Sequence, residues 1–151
     1  MRSFLLLFSA LSLGFSSFAG SNEIPLLKEK PVIDGALSPA EESGALRMEL
    51  VKAGGGPAAN PTEVFIGRSA DNLYVGFKCH EKDMKNIALQ WKNPEERDNS
   101  VWTDDCVEIY VDPMNGDPSQ LRHVIINSAA VIYDEAGISP SWDCDIKTAA
   151  A

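Results

Sequence analysis

Val101-Trp102-Thr103-Asp104-Asp105-Cys106-Val107-Glu108-Ile109-Tyr110-Val111-Asp112 is the stretch that decides the fold, because its second half alternates with the period of a half-buried strand. Val107, Ile109 and Val111 fall on one face, where they build a core. Cys106, Glu108 and Tyr110 fall on the other, with Trp102 entering just ahead of them. Flat apolar surface beside fixed hydrogen-bond acceptors suits a ligand with hydroxyl edges and C–H faces, the chemistry of a sugar.

Outward from that stretch the pattern is strand, turn, strand. Glu63 to Gly67 and Leu73 to His80, joined by Arg68 to Asn72, predict a β-hairpin. Further strands are expected at His123 to Asn127 and Val131 to Asp134. Pro31-Val32-Ile33-Asp34-Gly35 predicts a short strand ending in an Asp-Gly turn, and Ser38-Pro39-Ala40-Glu41-Glu42 the capped start of a brief helical turn. Ala53 to Pro61, with three consecutive glycines, is a loop. The polar connection from Glu81 to Ser100 is long enough to suggest a binding loop. No sustained helical period or internal repeat competes, so the expected class is all-β, an antiparallel β-sandwich of jelly-roll or immunoglobulin-like type. Trp142, Cys144 and Ile146 alternate with Asp143, Asp145 and Lys147, which predicts one more strand with no partner left to pair it. On that ground the domain, 24–151, is expected to be incomplete, its C-terminal strands missing.

The first 19 residues are expected to be a cleaved signal peptide: Arg2 supplies a basic start, Ser3 to Phe18 an apolar core, and Ser17-Phe18-Ala19 a small-x-small cleavage signal. At about sixteen residues the apolar stretch falls short of the roughly 20 that span a bilayer. Secretion to the medium, periplasm or cell surface follows, with no membrane partner after cleavage. The formal charge of −9, from 13 basic and 22 acidic residues, argues against nucleic acid, whose phosphates require Lys and Arg. Cys79, Cys106 and Cys144 leave at least one thiol unpaired; a bridge between Cys79 and Cys106, each in an expected strand, and buried free thiols are both open.

Acids crowd the middle of the chain. Their density permits a calcium ion, with Asp98, Asp104, Asp105 and Asp112 as donors, although no EF-hand spacing is present. Hydrolytic catalysis is not expected: in an extended strand Asp104 and Glu108 stand roughly 13 Å apart, beyond the roughly 5–9.5 Å that glycoside hydrolysis uses. His80 and His123 are lone histidines without evident partners, and no nucleophile, zinc or phosphate-loop motif occurs.

Pro31 to Gly35, Asp71-Asn72-Leu73-Tyr74-Val75, Trp102 to Glu108, and Asn127 followed by Asp134 together resemble the family 9 carbohydrate-binding module and its DOMON-like relatives. The resemblance spans roughly Ile24 to Ala149. It implies a non-catalytic β-sandwich that binds glucose- or xylose-type sugars, often at polysaccharide chain ends, as an accessory of a secreted glycoside hydrolase with a fused catalytic domain. It assigns Trp102 to stacking on the sugar ring, Glu108 to accepting hydroxyl hydrogen bonds, and Asn127 to a polar position near the site. The chain departs from the family twice: Ile125 stands near the place of a sugar-holding arginine, and the second stacking aromatic belongs to the missing C-terminal part. DOMON-like relatives also bind haem b and carry electrons, for which Met48, Met84 or Met114 with His80 or His123 would be the ligands. A surface or adhesion module without a small ligand is the third class left open.

Overall fold

The structure is a computed structural model and describes residues 23–114, 116–137, 139 and 141–151. The expected signal peptide lies outside them. Two antiparallel three-stranded sheets carry the fold, in agreement with the all-β expectation. The first is β1 (Leu46–Glu49), β2 (Thr62–Arg68) and β3 (Leu73–Cys79), ordered β1-β2-β3. The second is β4 (Cys106–Val111), β5 (Arg122–Asn127) and β6 (Ile132–Ala136), ordered β4-β5-β6.

The sheets share one core because β2 to β6 turn β-branched or aromatic residues inward. Val64, Ile66, Val75 and Phe77 from the first sheet meet Val107, Ile109, Val124, Ile126 and Ile132 from the second. The hairpin register is fixed by this pattern, since a one-residue slip would expose the whole row; Val64 lies opposite Phe77 and Ile66 opposite Val75.

One short α-helix forms among the described residues, α1 (Pro39–Gly44), and its start follows from local chemistry. Ser38 accepts from the backbone N–H of Glu41 while Glu41 accepts from the N–H of Ser38, a reciprocal cap with Pro39 in the first turn. Burial opposes the charge on Glu41, but the Ser38 side chain and the backbone N–H groups of Ser38 and Val32 outweigh it, so its carboxyl is held below the usual range.

Two expected strands do not form. Pro31 to Gly35 has no ladder partner; instead Asp34 N–H closes a tight turn on Val32 O at 3.1 Å and Asp34 Oδ1 accepts from Ala36 N–H at 2.9 Å. The proline removes a donor, and the turn consumes the backbone groups that would follow it. Trp142 to Lys147 keeps its alternation, with Trp142, Cys144 and Ile146 half-buried against the core and the residues between them exposed, but pairs with no strand. Cys144 N–H donates to Asp134 Oδ2 at 2.6 Å and Ile146 N–H to Cys144 O at 3.0 Å, so two of its inward positions find backbone partners without a neighbouring strand.

Both outer faces are covered by non-strand chain. The segment before β1 covers the first sheet: Leu27 N–H donates to Arg68 O at 2.8 Å, and a Cβ on Gly67 would lie 2.6 Å from the Leu27 side chain. Residues 88–105 cover part of the second. All three cysteines are free. Cys79 packs on the shared core and Cys106 against the second, outer cluster, and no bridge forms between them.

Candidate functional site

The outer face of β4–β6 is built by the alternation that builds the core. Register sets Tyr110 opposite His123 and His123 opposite Glu135, while Ile125 lies between Glu108 and Tyr133. Tyr110 stacks on His123, centroids 4.0 Å apart and planes within 10°, and Tyr133 meets the other side edge-on at 6.3 Å. The imidazole is almost wholly buried and spans two carboxylates, Nε2 at 3.1 Å from Glu108 Oε2 and Nδ1 at 3.1 Å from Glu135 Oε1. Each tyrosine then donates to one of them, Tyr110 to Glu108 Oε2 at 3.1 Å and Tyr133 to Glu135 Oε2 at 2.9 Å. Burial, followed by the hydrogen bond to Glu108 and its charge, pushes the Tyr110 phenol up to about 12. Tyr133 is raised by burial and by Glu135.

Trp102 stands at the edge of this face. The 3₁₀ turn Val101–Thr103 points Val101 into a second apolar cluster with Ile125 and Val131, with Trp91, Cys106 and Tyr133 packed around it. The next residue therefore points out: Trp102 is 51% exposed, and its ring meets Tyr133 edge-to-face at 5.1 Å and 83°. Two aromatic walls at near right angles result.

A buried polar hub holds that turn in place. Asn127 is fully buried and uses its whole amide: Nδ2 donates to Trp91 O at 2.7 Å and to Asp104 Oδ2 at 2.8 Å, and Oδ1 accepts from Ala129 N–H at 2.9 Å and Val131 N–H at 3.0 Å. Asp104, also buried, accepts from the N–H groups of Gln90 and Trp91 as well. The long connection after β3 is thus pinned onto the sheet.

Of the three expected sugar-binding residues, Trp102 and Glu108 lie exposed on one face, whereas Asn127 lies beneath it with no hydrogen-bonding capacity free for a ligand. The four acids expected to hold calcium do not converge. Asp104 belongs to the hub, Asp105 accepts from Ala88 N–H at 2.6 Å, and Asp112 closes the turn after β4 on the N–H groups of Met114 and Gly116. Asp98 alone enters an acidic group, with Asp134 and Asp143, whose oxygens lie within 4.8 Å of one another. Arg97 already serves as its cation, with Nη2 at 2.6 Å from Asp134 and Nε at 3.0 Å from Asp143. Burial, then repulsion from Asp134 and Asp143, raises the Asp98 carboxyl against the pull of Arg97.

Glu108 also stands on the rim of a second feature, a cleft of about 420 Å³ between the end of β3 and the start of β4, within the range of small-ligand sites. Cys79, His80, Met84, Asp105 and Cys106 line it. His80 Nε2 is 3.2 Å from Glu63, and burial followed by Glu108, Asp104 and Asp105 raises the Cys106 thiol to about 11. Of the methionines considered for haem, Met84 shares this cleft with His80, while Met48 and Met114 are exposed elsewhere.

Tyr110, His123, Tyr133 and Glu135 are the members of the face that motif reading misses. His123 is not a lone histidine. The signal was present in the period-two spacing of Glu108 with Tyr110 and of Tyr133 with Glu135, but connecting them requires the register of two hairpins. No protein-family model, curated protein or solved structure matches the chain.

Proposed function

We propose that the chain is a non-catalytic carbohydrate-binding module that takes glucose- or xylose-type sugars on the outer face of β4–β6. The observation that carries this reading is the exposed Trp102 ring, set at a right angle to Tyr133 and beside the anchored carboxylates Glu108 and Glu135. An aromatic wall takes the C–H face of a pyranose, and carboxylates whose orientation is already fixed accept its hydroxyls at little ordering cost. The His123 ring fills the space between Glu108 and Glu135, which leaves no room for a glycosidic bond between those two carboxyls. The module serves as an exported accessory to a polysaccharide-degrading enzyme, concentrating it on chain ends.

Isothermal titration with xylo- and cello-oligosaccharides tests this. Measurable binding is expected, with Trp102→Ala losing about tenfold or more in affinity, equivalent to about 1.4 kcal/mol. Its unfolding free energy should change little, since half of the ring is already in water. Unchanged affinity in Trp102→Ala, or no heat with any of these sugars, overturns the reading.

A further inference from the structure

The hydrogen-bond arrangement of the outer face restricts the charge of its ligand. The phenols of Tyr110 and Tyr133 already donate to Glu108 and Glu135, and both nitrogens of His123 face the same carboxylates. Trp102 contributes only its indole N–H. The face therefore offers a ligand mainly acceptors: the unpartnered Oε1 of the half-exposed Glu108 and the remaining lone pairs of Glu135. Among the described residues no lysine or arginine makes an ion pair with either carboxylate, and His123 is the basic side chain that faces both. The same one-sided field is felt by three groups around the face: besides burial, the charges that raise Tyr110, Tyr133 and Cys106 are all carboxylates. The Trp102–Tyr133 corner adds two ring faces, which attract a cation by their quadrupoles.

We infer that this face sorts sugars by charge, preferring a unit with a protonated amine, of the 2-amino-2-deoxyhexose type, over its uncharged counterpart, and rejecting uronic acids. The ammonium donates to carboxylate lone pairs beside an aromatic wall, a charge-assisted bond that a hydroxyl does not match. A uronate brings an anion against Glu108 and Glu135, where the described residues place no lysine or arginine on either carboxylate. This inference rests on the carbohydrate reading and names the class of sugar at the same site.

Titration with a glucosamine tetramer, its N-acetylated counterpart, cellotetraose and tetragalacturonate, at a pH where the amines are protonated, tests it. The glucosamine tetramer is expected to bind about five- to tenfold tighter than the N-acetylated one, the range that one or two partly exposed ion pairs supply. The advantage should shrink with added salt and in Glu135→Gln, and tetragalacturonate should not bind. Thermal unfolding of Glu135→Gln checks that the variant is folded, and Glu108→Gln provides a second carboxylate variant. Equal or weaker binding of the glucosamine tetramer, or binding of tetragalacturonate, overturns the charge preference while leaving the carbohydrate reading intact if cellotetraose binds. A preference that survives in Trp102→Ala is general attraction to an acidic protein and overturns the assignment to this face. Absence of binding by all four sugars overturns both.

Discussion

The outer faces of the two sheets are both covered by chain that is not strand, and they are covered by different physics. On the first sheet the cover is apolar and close. Phe65 is buried there, and a Cβ on Gly67 or Gly76 would fall 2.6 Å from Leu27 or 2.8 Å from Leu37. On the second sheet the cover is held by a buried amide and carboxylate, Asn127 and Asp104, and it stops short, leaving Trp102, Tyr133, Glu108 and Glu135 at the surface. Close packing seats Leu27 and Leu37 directly on the sheet glycines and leaves only a small cavity of about 70 Å³ between cover and sheet. A hydrogen-bonded pin fixes one segment and leaves the neighbouring surface free for binding.

Removing the pin should have the larger effect. Asn127→Ala strips four hydrogen bonds from a fully enclosed site and leaves Asp104 and the Trp91 carbonyl short of partners, so a loss of about 3 kcal/mol or more is expected in urea unfolding. Sugar affinity should fall with it, because Trp102 loses its support. A loss under about 1 kcal/mol would mean that the second cover is held by its apolar cluster instead.

Crowding the other face comes next. Gly67→Ala drives a methyl into Leu27 and should cost about 1–3 kcal/mol. In a double-mutant cycle with Leu27→Ala, part of that cost should disappear, since the smaller side chain vacates the space. Strict additivity would refute close approach as the reason for glycine. Sugar binding should be unaffected in the folded single variant, which separates the two covers functionally.

The smallest effect concerns pH. The Tyr110 phenol is raised to about 12 in the folded chain, against about 10 in an unfolded one. A group raised on folding contributes stability that is fully present below about pH 10 and is lost as pH rises through about 12. Alkaline unfolding followed by phenolate absorbance should show this loss, and Tyr110→Phe should remove the late-ionising phenol.

The strands of the hairpins were legible because alternation is a local property. Val107, Ile109 and Val111 point inward wherever the strand is placed. Trp142, Cys144 and Ile146 show the limit of that rule: the same alternation correctly gives the buried side, but a ladder needs a neighbour, and here Asp134 supplies the hydrogen-bond partner instead. Asn127 was legible as a polar residue near the site, yet its burial and two of its four partners depend on a connection more than twenty residues away in sequence. Likewise His123 is lone in the sequence and the centre of the face in the fold.

By itself the sequence determined the all-β class of fold, the inward face of β4 and the capped helix. Those follow from side-chain period and from capping chemistry within a few residues. Only the tertiary structure decided which acids serve a hub, an arginine or the open face, because identical carboxylates differ only in the donors that a distant strand brings within 3 Å.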